Sequence, residues 1–592
     1  MLNALAATEP NDGLLERYGA CKAMARGYAQ ARANERTRLS LARAFTAVVL
    51  ESFWASLVER CGARMRIRPV PLQLPAFSRE AKAVAVSAGR LIAEFPVDHA
   101  GYLIGSIYTV MLPDAHRTSM GAYYTPPPLV ARLISQAQEA GFNIATDSAI
   151  DPACGGGAFL APLASRMVEA WVGQSPELIL GRLARRLKGI ELDPFAAWMT
   201  TVLVEAAVLP ICVAAKRRMP NVVEVSDTLQ RRDVSSYGLV IGNPPYGRVQ
   251  LDAQQRKYFS RSLYGHANLY GLFMDWGLRH VRDGGVLAFV TPTSFLGGQY
   301  FKSLRRLLCL DGSPVSLDFV ADRDGVFDDV LQETILFVHS IGRNDRASNV
   351  SRVLTRGLGG ADVAPIATTR VSDDGSPWLL PRSSSDAELL ENVRSMPNRL
   401  IDVGYAVSTG PLVWNRHREQ LRTKKNRNTY PLIWSESVTA SGFSFSAERR
   451  NHVPFLEVYP NQDHLITTEP CVLVQRTTSK EQNRRVLAAL LPRPFLDEHG
   501  GVVVENHLNV VRPLPDAPVS PGTIAALLNT SVVDRLFRCI SGSVAVSAFE
   551  LNAVPLPALG KLRELERLVE SGASLALIDR RVAGWYGVSW EN

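Results

Sequence analysis

The sequence predicts an α/β fold with an open, mostly parallel sheet, a helical extension before it and an α+β region after it. Three observations carry the prediction. Short apolar runs recur at Ala149-Ile150, Leu187 to Ile190, Val222 to Val225 and Leu239-Val240-Ile241, and each leads into a polar or acidic residue. Between them lie segments with apolar residues at three- and four-residue spacing, such as Ala158 to Trp171; strands alternating with amphipathic helices build a parallel sheet. Turn-forming residues follow two of the strand ends: Gly155-Gly156-Gly157 after the first and Asn243-Pro244-Pro245-Tyr246 after the fourth.

Taken in chain order, residues 1–115 read as mainly helical. Leu39 to Leu57 and Arg79 to Phe95 have helical spacing, with a break at Pro69, Pro71 and Pro75. A helical cap on the sheet is the expectation from this spacing, with a piece of a DNA clamp or a nuclease as the alternatives; no convincing Asp…Glu-x-Lys pattern of a metal-dependent nuclease is present there. The glycine turn at 155–157 allows positive φ and close backbone approach to a ligand. It is neither a phosphate-binding Gly-x-x-x-x-Gly-Lys loop nor a Gly-x-Gly-x-x-Gly fingerprint.

Acids close the strands on either side. Asp151 ends the first, and Glu191 the second, where a carboxylate can accept from both hydroxyls of a ribose. Asp227 follows the third and can accept from an adenine amino group.

Asn243-Pro244-Pro245-Tyr246 supplies a different chemistry. The prolines stiffen the loop and remove two N–H donors while keeping both carbonyls. An exocyclic amine could donate one hydrogen to the Asn243 side-chain oxygen and one to the Pro244 carbonyl, with its ring stacked on Tyr246.

These residues together resemble the class I S-adenosylmethionine-dependent methyltransferases, and within them the DNA amino-methyltransferases of restriction–modification systems. The match runs from Gly121-Ala122-Tyr123-Tyr124-Thr125-Pro126-Pro127, through the glycine loop and the Asn243 loop, to Asn268-Leu269-Tyr270-Gly271 and the strand of Glu333 to Val338. The resemblance implies a Rossmann-like sheet and S-adenosylmethionine as cofactor. It implies Tyr124, Thr125, Asp151, Ala153, Gly155, Gly157, Phe159, Glu191, Asp227 and Asn243 as cofactor-binding residues. It makes Asn243, Pro244, Pro245 and Tyr246 catalytic, and it stacks Tyr246 and Phe327 on a target base that must leave the duplex. The order of these motifs, with the long uncommitted stretch after Val338, is that of the gamma group. Asn at the head of the tetrapeptide favours adenine N6 as the acceptor. Cys154 is not read as a nucleophile, because cytosine-C5 enzymes use a Pro-Cys dipeptide and the one here is the remote Pro470-Cys471.

The 592 residues carry a net charge of +8, which favours an anionic partner, and 46% of them are hydrophobic, enough for a sizeable core. Seven scattered cysteines form no C-x-x-C pair, which argues against zinc and against a disulfide framework. No leader-like N-terminus and no 18-residue apolar run is present, so a cytoplasmic protein without membrane contact is expected.

The rest of the chain divides by composition. Residues 346–390 read as a linker. Residues 391–560 read as a target-recognition domain, and 561–592 as a tail with one helix, Leu562 to Leu577, and a loose end. Within 391–560, Arg416, Arg418, Arg422, Lys424, Lys425 and Arg427 are interleaved with Trp414, Tyr430 and Trp434, a pattern that suits phosphate contacts. Arg476, Lys480, Arg484 and Arg485 form a second cluster.

The whole reads as a monomeric enzyme methylating adenine N6 in a short duplex DNA sequence, over a catalytic domain of 116–345. The resemblance adds a separately encoded restriction endonuclease as biological partner. Methylation of cytosine N4, of RNA or of a protein glutamine stays open. So does a role as the DNA-binding methylase component of a phage-defence or bifunctional restriction–modification complex.

Overall fold

The computed structural model describes residues 12–31, 34–114, 116–117, 124–233, 235–321, 333–345, 347–477, 484–540 and 545–588. The chain forms two compact units, one of Met1–Pro292 with Ser303–Asp373 and the other of Thr293–Lys302 with Asp374–Asn592.

Among the described residues the first unit holds eleven strands: β1 Ala149–Asp151, β2 Leu187–Glu191, β3 Val223–Val225, β4 Tyr237–Gly242, β5 Arg248–Val249, β6 Ala267–Asn268, β7 Val281–Pro292, β8 Gly312–Val320, β9 Thr334–Ile341, β10 Ala347–Thr355 and β11 Ala361–Arg370. Nine of them make one sheet in the order β11-β10-β8-β9-β7-β4-β1-β2-β3, while β5 and β6 pair as a separate ribbon. β1, β2, β3, β4 and β7 run parallel, and β9 is antiparallel to both β7 and β8. The chain leaves β1 toward β2 on one side and reaches β4 on the other. The β1–β4 junction is therefore the switch point, outside whose carboxyl ends ligands bind in open α/β sheets.

Among the described residues the N-terminal region has the helices Asp12–Gln30, Glu35–Arg60, Arg79–Ile92 and Ala100–Met111. Their apolar faces share one core with the helix Pro194–Ala207, through Phe195, Met199, Val202 and Leu203. The cap thus packs on a helix of the catalytic fold, and the two form a single compact unit. A buried carboxylate secures the join: Glu205 is fully buried and takes two hydrogen bonds from Arg68, at 3.0 and 3.1 Å. The helix Glu35–Arg60 is long and apolar enough to cross a bilayer by length and composition, but 67% of its most apolar window is buried within this unit.

Two expected boundaries are corrected. Residues 347–370, read as the start of a linker, form β10 and β11 and extend the large sheet. Their alternation was hidden by polar residues: most of β11 is exposed, and Pro365 sits at a register shift in the pair. The tail is likewise ordered. Leu559–Glu570 and Leu575–Trp585 are separate helices whose Leu562, Leu565, Ile578 and Val582 lie in the core of the second unit with the fully buried Tyr586.

The second unit is α+β. Tyr405–Thr409, Leu508–Pro513, Cys471–Gln475 and Ala488–Leu491 form an antiparallel sheet in that order. The helices Pro521–Leu528 and Ser531–Ile540 contribute to the same core as this sheet. A second, five-stranded sheet contains Leu421–Arg422, Phe455–Glu457, Thr429–Ile433, Val502–Val504 and Ile466–Thr467.

Candidate active site

A cavity of about 370 Å³ opens at the carboxyl ends of β1 to β4 and is lined by Asp151, Glu191, Asp227 and Asn243, one residue from each strand end. Its size lies within the roughly 300–1,000 Å³ of small-molecule sites.

Each acid is held by backbone N–H groups. Asp151 Oδ1 accepts from Ala153 at 3.0 Å. Glu191 Oε2 accepts from Gly155 N at 2.8 Å and Oε1 from Asp193 N at 2.9 Å, which ties β2 to the glycine loop. Asp227 Oδ1 caps a short helical turn through Leu229 N at 3.0 Å, and its Oδ2 accepts from Gln230. Burial pushes the Asp151 carboxyl up to about 8, reinforced by the nearby charge of Glu191, and burial also raises Glu191. Two neighbouring carboxylates with few cations around them make the cavity a place where a cation is welcome.

The glycine loop is shaped by positive φ at Gly155 (50°) and Gly157 (79°). A Cβ on Gly155 would meet nothing within 4 Å, so the loop leaves open room at the cavity. Gly156 has no such room: its Cβ would lie 2.4 Å from the Tyr124 ring.

The Asn243 loop meets the acids at the switch point. Gly242 permits this, since a Cβ there would sit 2.5 Å from Asp151 Oδ1. Asn243 Nδ2 donates to Thr125 Oγ1 at 3.2 Å, and Thr125 is buried. The Asn243 side-chain oxygen accepts from the Tyr246 hydroxyl at 2.8 Å. Tyr246 also lies edge-on to Tyr270, with ring centroids 6.0 Å apart and planes at 80°. The loop beyond is fastened through Asp275, which is fully buried and accepts from Arg261, Arg279 and Ser262 at 2.6, 3.1 and 2.7 Å.

The structure brings Tyr124, Thr125, Asp151, Ala153, Gly155, Phe159, Glu191, Asp227, Asn243 and Pro245 to one cavity. Gly157, Pro244 and Tyr246 are not in its lining. Gly157 acts as a turn residue beside Thr200. Tyr246 is half-buried, and its hydroxyl donates to the Asn243 oxygen expected to accept from the amine. Phe327 lies outside the described residues.

Sequence reading missed Leu192, Phe273 and Tyr108 in the lining. Leu192 follows Glu191 and is 58% exposed despite being apolar. Tyr108 comes from the N-terminal helices, where no motif marked it.

In the second unit, Arg416, Arg418, Lys424, Lys425 and Arg427 are exposed. Arg418 stands over the Trp414 ring at 5.4 Å. Arg422 is committed elsewhere, in an ion pair with Glu457. In the other basic cluster, Arg476 and Arg484 donate to the backbone carbonyls of Asn506 and Asn529, which makes them internal braces. Lys480 lies outside the described residues.

Comparison with known proteins agrees with the strand-end chemistry. Residues 215–327, which include the Asn243 loop, match the family described as Eco57I restriction-modification methylase. The type II methyltransferase M.PstI of Providencia stuartii is 26% identical over 350 residues, covering 57% of this chain and 68% of the relative. M.BsuBI of Bacillus subtilis, another type II methyltransferase, is 27% identical over 358 residues, covering 58% and 70%. In structure, the chain is similar to the type IIL restriction-modification enzyme MmeI, solved in complex with DNA, with a TM-score of 0.53 at 13% identity over 99% of this chain and 98% of that one. Residues 215–327 are thus similar to an Eco57I restriction-modification methylase domain, the chain's curated relatives are type II methyltransferases, and the fold that holds its site is that of the class I S-adenosylmethionine-dependent methyltransferases.

Proposed function

We propose that this chain transfers a methyl group from S-adenosylmethionine to adenine N6 within a short duplex DNA sequence. The observation that carries the reading is the position of Asn243, whose side chain lies at the switch point of the sheet beside three strand-end acids.

The donor set fits the cofactor. Glu191 and Asp227 offer carboxylate oxygens to a ribose and an adenine amine, and the open space at Gly155 admits backbone contact. Asp151 is the deepest acid and touches the Asn243 loop, so it suits the cationic amino-acid end. When bound, the cofactor supplies an electrophilic methyl group on a sulfonium centre.

The chain's own residues act on the amine. An aromatic amine's lone pair is delocalised into its ring and is a weak nucleophile. Asn243 Oδ1 and the Pro244 carbonyl accept its two N–H bonds, which favours a tetrahedral nitrogen with a localised pair. Rigid placement by the two prolines supplies the orientation component of the rate. No strong base is required, because a methylated amine carrying an extra proton is acidic enough to release it to water.

The base reaches this loop only when flipped from the duplex. Its arrival displaces the Tyr246 hydroxyl from Asn243 Oδ1, and the released ring then stacks on the base. The second unit reads the sequence, with Lys424, Lys425 and Arg427 as its exposed phosphate contacts. The chain works as a monomer in the cytoplasm and protects host DNA from a separately encoded restriction endonuclease. Similarity to two type II methyltransferases supports the modification role.

The test is to incubate the purified chain with S-adenosylmethionine and duplex DNA and to analyse the nucleosides by mass spectrometry. N6-methyldeoxyadenosine is expected; N4-methyldeoxycytidine would reassign the base, and neither product would reject DNA as the substrate.

A further inference from the structure

The N-terminal helices do more than cover the sheet. Helix Ala100–Met111 is held directly on the glycine loop and its neighbour Tyr124. A Cβ on Gly105 would lie 2.3 Å from the Tyr124 ring, and one on Gly101 would lie 3.3 Å from the Gly156 carbonyl. One turn beyond Gly105, Tyr108 reaches the cavity wall.

Tyr108 is 2% exposed, and no acceptor for its hydroxyl proton is found among the described residues. A buried donor left without an acceptor is costly, so a hydroxyl in that state at a cavity wall calls for a ligand. Its ring is fixed against Phe195, with centroids 5.4 Å apart. Arg43 lies beside the hydroxyl and pairs with Asp193 at 3.0 Å. A guanidinium has only donors and cannot take the tyrosine's proton. The two Asp193 bonds in this region go to Arg43 and Phe195 N through Oδ1. Burial keeps the phenol protonated, so it has a hydrogen to give.

Tyr108 packs on Phe195, which follows Asp193 by two residues, and Asp193 N donates to Glu191 Oε1 at 2.9 Å. Tyr108 and Glu191 line the same cavity, so Tyr108 stands on its Glu191 side. We infer that Tyr108 is a cofactor-binding residue whose hydroxyl donates to a ribose hydroxyl oxygen of S-adenosylmethionine, so that the N-terminal helices complete the ribose clamp begun by Glu191. The inference rests on the cofactor reading above. Glu191 accepts from the ribose and Tyr108 donates to it, which together read a hydroxyl as both donor and acceptor.

The experiment compares the full chain with its Tyr108→Phe variant, which keeps the ring and removes the hydroxyl. Calorimetry measures binding of S-adenosylhomocysteine and of its 2′,3′-dideoxy analogue, and thermal unfolding is followed with and without ligand. Without ligand, the variant should be at least as stable as the parent, because it removes an unsatisfied group. It should bind S-adenosylhomocysteine about five- to tenfold more weakly, as expected for one lost hydrogen bond. The two proteins should bind the dideoxy analogue equally.

Equal affinity of both proteins for S-adenosylhomocysteine would overturn the inference, as would equal weakening toward both ligands. A ligand-free variant that unfolds several degrees earlier would assign the hydroxyl a structural bond instead. If the parent itself binds no S-adenosylhomocysteine, the cofactor reading fails and takes this inference with it.

Discussion

The two units of this protein use charge in opposite ways. At the strand ends of the first, acids are buried, held by backbone N–H groups and displaced from their ordinary protonation. On the second, Lys424, Lys425 and Arg427 are exposed and open to solvent. A buried group acts at one geometry and is costly to move, whereas an exposed one acts at many and is screened by salt. On the proposed function the first unit supplies chemistry and the second affinity, and that division can be broken by variants that mix the two.

Asn243→Ala should have the largest effect. Loss of the side chain that holds the amine should lower single-turnover methyl transfer by about 10²–10³-fold, the range for removing one preorganised hydrogen-bonding group. DNA affinity should stay within about twofold, since phosphate contacts dominate it. Rapid-quench transfer and DNA titration on the same protein separate the two quantities. A fall in DNA affinity as large as the fall in rate would erase the division.

The buried acid gives the next effect. Asp151 has its carboxyl raised to about 8, so below that pH it is protonated and neutral. A cationic ligand favours the carboxylate and must expel the proton to bind. Affinity for S-adenosylmethionine should therefore rise with pH, by up to about tenfold per unit from pH 6 to 8, and level off above the folded value. Asp151→Asn should flatten this profile. DNA binding should show no comparable rise, because phosphate contacts dominate it. Calorimetry in buffers of different ionisation enthalpy would count the released proton.

The smallest effects belong to the second unit. Replacing Lys424 and Lys425 by Ala should weaken duplex binding and reduce the slope of log K against log salt by at most ~2, about one per phosphate contact. Arg422→Ala is the contrast, since that side chain is paired with Glu457. It should change stability by at most about 1 kcal/mol and leave the salt slope unaltered. Salt titrations of both variants decide whether exposure, and not mere basicity, marks the DNA-facing residues.

The legible and illegible parts of the sequence follow the same physical division. Asp151, Glu191, Asp227 and Asn243 could be read because each ends an apolar strand, and strand ends in a parallel sheet converge on one edge. Tyr108 could not be read, because it reaches the cavity through the packing of a separate helix and no local pattern announces that contact. The hairpin β10–β11 was hidden for a related reason. It lies at the sheet edge with one strand mostly exposed, so its composition resembles a linker. The hydrogen bond from Tyr246 to Asn243 was hidden as well, since a tetrapeptide fixes which groups are present but not which of them bond to each other without substrate. In the second unit the basic run was visible as composition, while the commitment of Arg422 to Glu457, 35 residues away, was not.

The most direct test of the central claim is modification-sensitive sequencing of DNA from cells expressing this chain, beside cells expressing Asn243→Ala. The account predicts N6-methyladenine at one short recurring sequence in the first and none in the second. Methylation that persists in the Asn243→Ala cells, or no methylation from a parent protein that binds S-adenosylmethionine, would contradict it.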